Sequence, residues 1–123
     1  MGMQIQVNTS NGIDNKEALE RWADTEIQQQ LQRFRDDVTR VEVHLSDENH
    51  EKAGERDKCC VMEARLAHHQ PLAVKQHASS MDEAFRGASD KLKRLLDSTL
   101  GRLHNHRDRE SIRRDGGAGL VAE

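Results

Sequence analysis

The chain has 123 residues, a formal net charge of −3, 34% hydrophobic and 33% charged residues, and a mean hydropathy of −0.92. So short and polar a chain supports one thin-cored domain, or one such domain with a tail. The aromatic residues are Trp22, Phe34 and Phe85, with no Tyr, which excludes folds that stack bases on exposed rings.

Met3-Gln4-Ile5-Gln6-Val7 alternates apolar and polar side chains and predicts a short, half-buried strand. Asn8 to Gly12 is turn chemistry. Asp14 stands three residues before Glu17, the spacing of a capping box. Leu19, Ala23, Ile27, Leu31 and Phe34 then repeat at helical spacing, predicting a one-faced helix over Asn15–Arg35. Val41, Val43 and Leu45 alternate with Arg40, Glu42, His44 and Ser46 as a second strand. Residues 47–58 are charged and aperiodic, and read as a mobile hairpin loop. Cys60, Met62, Ala64 and Leu66 mark one face of a third strand. After the tight connection His69-Gln70-Pro71, Leu72, Val74 and Ala78 continue as a fourth strand. Ser80 and Glu83 repeat the capping-box spacing. A stripe from Met81 through Phe85, Leu92 and Leu96 then predicts a second helix ending near Leu103.

The order βαβββα implies an α+β fold, a four-stranded mixed sheet with two helices packed on one face. The crossover between the first two strands is right-handed. Gln4, Gln6, Arg40, Glu42, His44, Glu63, Arg65, Lys75 and His77 fall on the other, solvated face. Residues 3–103 form the expected domain, and 104–123 a polar tail expected to be disordered, apart from extension of the helix. No apolar run approaches the ~18 residues of a membrane span and no secretory leader is evident, so the expected location is the cytoplasm.

The net charge conceals a separation. Residues 1–85 carry 10 Lys and Arg against 16 Asp and Glu, whereas residues 86–114 carry 9 against 4. At about 100° per residue, Lys91, Arg94 and Arg102 fall within about 80° of one another beside the apolar stripe. Lys91 and Arg102 have no acidic residue three or four positions away. Arg86 and Lys93 occupy the opposite flank, where Asp82, Asp90 and Asp97 stand at pairing distance in sequence. Unpaired cations along a rigid helix are suited to phosphates. Lys91, Arg94, Arg102, Arg86 and Lys93 are therefore the candidate RNA-binding residues, and a solvated helix face is the alternative.

No catalytic or metal site is expected. Cys59 and Cys60 are adjacent, too strained for a disulfide and without ligand spacing, so they read as reduced structural thiols. His68-His69 and His104-Asn105-His106 lack the spacing that brings two imidazoles to one ion. No nucleophile elbow or phosphate-binding glycine loop occurs. Neither an enzyme activity nor a cofactor or small-molecule substrate is expected.

The segment Asp90-Lys91-Leu92-Lys93-Arg94, following Met81-x-x-Ala84-Phe85, together with the strands Met3–Val7 and Val41–Leu45, resembles the ribosome hibernation-promoting factor family, also called the RaiA/YfiA or sigma-54 modulation proteins, in its short form. The resemblance implies a fold like that of double-stranded-RNA-binding domains (dsRBD-like). It also implies binding to rRNA of the small ribosomal subunit, in stress response and ribosome hibernation, by occlusion of the decoding channel. Lys91 and Arg94 lie on the matching motif, and the short form implies a monomer in isolation. Two alternatives remain open at this stage: a module for a non-ribosomal RNA, and a protein-interaction module that uses its acidic surface.

Overall fold

The alternating and helical patterns become four strands and two helices in the order β1 (Gln4–Thr9), α1 (Lys16–Gln30), β2 (Val38–Asp47), β3 (Lys58–Leu66), β4 (Leu72–Ala78) and α2 (Met81–Arg114). The structure, a computed structural model, describes residues 3–10, 13, 15–47 and 58–114, with 104–114 described as helical backbone. The charged segment within 47–58 lies, apart from its two ends, outside the described residues, as does 115–123.

The sheet order is β1-β2-β3-β4. β1 runs parallel to β2 with Ile5 opposite Val41, and β2–β3 and β3–β4 are antiparallel, pairing Val43 with Met62 and Met62 with Val74. The predicted α+β class, element order βαβββα and four-stranded mixed sheet are thus observed. By internal contacts the chain forms two compact units, Met1–Lys93 and Arg94–Glu123.

In the first unit, strand alternation sends Val41, Val43, Leu45, Cys60, Met62 and Ala64 to one face, all buried. Ala23 and Ile27 of α1, Leu31 just beyond it, and Ala84, Phe85, Ala88 and Leu92 of α2 complete that core. The helices meet where the Trp22 and Phe85 rings stand 4.8 Å apart, tilted by 54°. Tilted aromatic packing of this kind adds about 0.5–1.5 kcal/mol to simple burial. The Thr9 hydroxyl donates to Glu20 Oε2 at 2.9 Å, tying β1 to α1. In the second unit, Leu96, Thr99 and Leu100 are buried, while Arg94, Asp97, Ser98 and Arg102 are exposed.

Several boundaries differ from expectation. α1 closes at Gln30 rather than Arg35, and a 3-10 turn over Gln32–Phe34 follows. No glycine is available to end the helix, so the chain tightens instead, with Phe34 N–H donating to the Leu31 carbonyl at 2.9 Å. The same turn carries Phe34 into the core, 3% exposed. Asn15 enters α1 in the left-handed region, φ 56°, with no side-chain cap; Asp14 of the expected capping box lies outside the described residues. At α2 the box is present in modified form. The Ser80 hydroxyl accepts from Glu83 N–H at 3.1 Å, while Glu83 Oε1 accepts from the Ser79 hydroxyl at 3.1 Å. α2 continues past Leu103 to Arg114 because no Gly or Pro intervenes before Gly116.

Cys59 and Cys60 are both free and buried. Cys60 belongs to the core face. Cys59 alternates to the other face, opposite Ser46 and His77, yet is only 1% exposed. The polar face of the sheet is therefore closed at that point.

Candidate RNA-binding surface

Each candidate cation on α2 has a distinct setting. Lys91 is exposed and its ammonium donates to the backbone carbonyl of Lys75, on β4, at 2.9 Å. Arg94 is exposed and makes no ion pair or hydrogen bond among the described residues. Arg102 is exposed and donates to the Ser98 hydroxyl at 2.8 Å. A hydroxyl partner leaves the guanidinium charge uncompensated, so Arg102 keeps its attraction for an anion.

The opposite flank is more committed. Arg86 pairs through Nε with Asp82 Oδ1 at 3.1 Å, one helical turn back. Its side chain remains 75% exposed, a setting in which such a pair contributes little. Lys93 turns toward α1, where its ammonium donates to Gln30 Oε1 at 2.6 Å and stands 3.7 Å from Asp90 Oδ1. The amide is 63 positions away in sequence, so helical spacing alone could not reveal it.

One group outside the predicted set adjoins the surface, and another lies on the polar face of the sheet. Lys75 is exposed on the last strand, and its carbonyl fixes the position of Lys91. Strand parity places the Lys75 side chain on the polar face, but only the packing of α2 beside β4 brings the Lys91 ammonium to the Lys75 carbonyl. On the same face Arg40 Nε donates to Glu42 Oε2 at 2.9 Å, and a further Arg40 nitrogen donates to Gln6 Oε1. His44 Nε2 lies 3.5 Å from the other Glu42 oxygen. The Arg40 hydrogen bond is the main cause holding the Glu42 carboxyl below its ordinary 4.5, against a smaller desolvation effect and with help from His44.

The aromatic rings are engaged elsewhere. Phe34 and Phe85 are buried, Trp22 packs on Phe85, and the Arg33 guanidinium lies 4.1 Å over the Phe34 ring. Recognition through this surface would therefore be of charge and shape. Among the described residues no three His, Cys, Asp or Glu side chains gather as a metal site, and no helix is long and apolar enough to cross a membrane.

Comparison with known proteins gives a family match in sequence and a fold match among solved structures. Residues 5–104 match the family model described as Sigma 54 modulation protein / S30EA ribosomal protein. Among solved structures, a ribosomal subunit interface protein from Coxiella burnetii aligns with a TM-score of 0.64 and 17% identity, over 80% of this chain and 99% of its own. The N-terminal domain of Protein Y from Thermus thermophilus aligns with a TM-score of 0.59 and 14% identity, over the same two shares. No curated protein matches the sequence.

Proposed function

The chain belongs to the Sigma 54 modulation protein / S30EA ribosomal protein family, and from that membership we propose that it is a non-enzymatic, ribosome-associated regulator of translation. It acts in the cytoplasm, as a monomer when free, through residues 3–103. It binds rRNA of the small subunit, occludes the decoding channel and holds the ribosome in hibernation. The solved relatives named for the ribosomal subunit interface and as Protein Y support the same class of partner.

The observation that carries the RNA reading is the state of the α2 cations in a chain whose first 85 residues are acidic. Lys91 is held by a neutral carbonyl, Arg94 has no partner among the described residues, and Arg102 rests on a hydroxyl. None of these contacts neutralises a positive charge, so all three can attract phosphates. Arg86 and Lys93 contribute less, since each already faces a carboxylate. With Phe34 and Phe85 buried and the half-buried Trp22 packed on Phe85, the contacts fall on the RNA backbone rather than on stacked bases.

Binding of the full chain to purified small subunits, measured across salt concentrations, tests this reading. Each phosphate contact removed lowers the salt slope by about 1. The pair Lys91→Ala and Arg94→Ala is expected to lower it by about 2, and Lys93→Ala by much less. Equal losses from Lys93→Ala and from the pair would reject the assignment. Generic duplex RNA that binds as tightly as the subunit would instead support a module for non-ribosomal RNA.

A further inference from the structure

The outer edge of β4 offers hydrogen-bond donors while its acceptors are covered. β4 is the last strand of the sheet and pairs only with β3 among the described residues. In an antiparallel pair, alternate residues direct both N–H and C=O toward the partner, and those between direct both outward. The Lys75 carbonyl accepts from the Lys91 ammonium at 2.9 Å, and the His77 carbonyl accepts from Gln76 Nε2 at 3.1 Å. Ala73, Lys75 and His77 therefore form the outward set.

Two of those three outward carbonyls carry a donor from the protein's own side chains. An extended peptide adding to this edge needs carbonyl acceptors as much as N–H donors, so the covering opposes strand addition. An anion needs donors alone. The outward Lys75 N–H, the exposed Lys75 side chain and the remaining hydrogens of the Lys91 ammonium supply them within one stretch of edge.

We propose that the outer edge of β4 is a phosphate-binding edge for the RNA backbone, formed by the Lys75 side chain and N–H together with Lys91. The inference rests on the ribosome-binding reading and extends it from α2 to the sheet. The carbonyl contact has a positive use here. It holds a flexible lysine at the strand edge, so less side-chain freedom is lost when a phosphate arrives.

The test compares Lys75→Ala with Arg65→Ala, an exposed cation of the same face on β3, away from the edge. Binding to purified small subunits is followed across salt, and the backbone amide of Lys75 is followed by NMR during titration with a short mixed-sequence RNA. Lys75→Ala is expected to lower the salt slope by about 1, equivalent to a roughly tenfold smaller loss of affinity per decade of salt. Arg65→Ala is expected to leave it unchanged, and the Lys75 amide to shift with RNA. If Lys91→Ala with Arg94→Ala weakens binding but Lys75→Ala does not, and the amide is silent, the edge is refuted while the α2 reading stands. Response of the amide to an uncharged extended peptide instead of RNA refutes the edge as well. Absence of any subunit binding removes both.

Discussion

Gly87 is a position where the packing of α2 on β4 leaves no room for a side chain, and replacing it with alanine isolates that packing. A Cβ there would stand 2.6 Å from Gln76 Cγ, 2.8 Å from Cδ and 3.3 Å from Nε2. Two effects oppose each other. Alanine favours the helix over glycine by about 1 kcal/mol. Against that, Gln76 must leave its rotamer, costing about 0.5–1.5 kcal/mol, and give up its hydrogen bond to the His77 carbonyl, about 1 kcal/mol more. Gly87→Ala is therefore expected to destabilise the protein by about 1 kcal/mol. In a Gln76→Ala background the obstructing atoms are gone, and the same substitution is expected to stabilise by about 1 kcal/mol. Urea unfolding of the four proteins reads the coupling, about 2 kcal/mol, as shifts in midpoint at constant slope. Equal effects of Gly87→Ala in both backgrounds would refute the argument.

Gly101 supplies the opposite case, since a Cβ there meets nothing within 4 Å; Gly101→Ala is expected to raise stability by up to about 1 kcal/mol in urea unfolding, and a loss would contradict the open setting. Burial, with a smaller contribution from Cys59, pushes the Cys60 thiol up to about 12. Thiolate is thus scarce at pH 8, and alkylation of Cys60 in the native protein is expected only through unfolding; rapid stoichiometric labelling, read by mass spectrometry, would count against it. The Glu42 carboxyl, held below 4.5 chiefly by Arg40, contributes stability that is fully present above its unfolded value and is lost as pH falls through the folded one. Arg40→Met is expected to move the NMR titration of Glu42 upward and to weaken the acid dependence of unfolding; an unchanged titration would remove Arg40 as the cause.

Much of the fold was legible because period-2 and period-3.6 patterns follow from burial on one face. The Val41, Val43, Leu45 and Cys60, Met62, Ala64 sets face the core as their alternation requires. Ser80 caps α2 because its hydroxyl and the Glu83 N–H are local in sequence. The end of α1 was not legible: the 3-10 turn depends on Phe34 finding the core, a tertiary event that helical spacing mimics. Cys59 and Cys60 are free and buried, as structural thiols should be, but the burial of Cys59 on the polar face was not legible, since alternation sets a side chain's face and not what covers it. In the candidate surface, the Arg86–Asp82 pair follows from i,i+4 spacing. The Lys93–Gln30 and Lys91–Lys75 contacts join different elements and exist only once α2 packs beside α1 and β4.

Those two lysines show how one helix can divide its charges between structure and recognition. Lys93 lies beside the Asp90 carboxylate and the Gln30 amide with 28% of its side chain exposed, so its field is compensated before any partner arrives. Lys91 is tied to a carbonyl, which fixes its position without cancelling its charge. The difference decides which lysine can serve the proposed binding, although the two are separated by one residue. It also bears on the acidic body. Sixteen carboxylates against ten cations in residues 1–85 oppose indiscriminate attachment to RNA. On the proposed reading, productive binding requires phosphates placed to meet Lys91 and the β4 edge together, so selectivity would arise from where the cations are held rather than from their number.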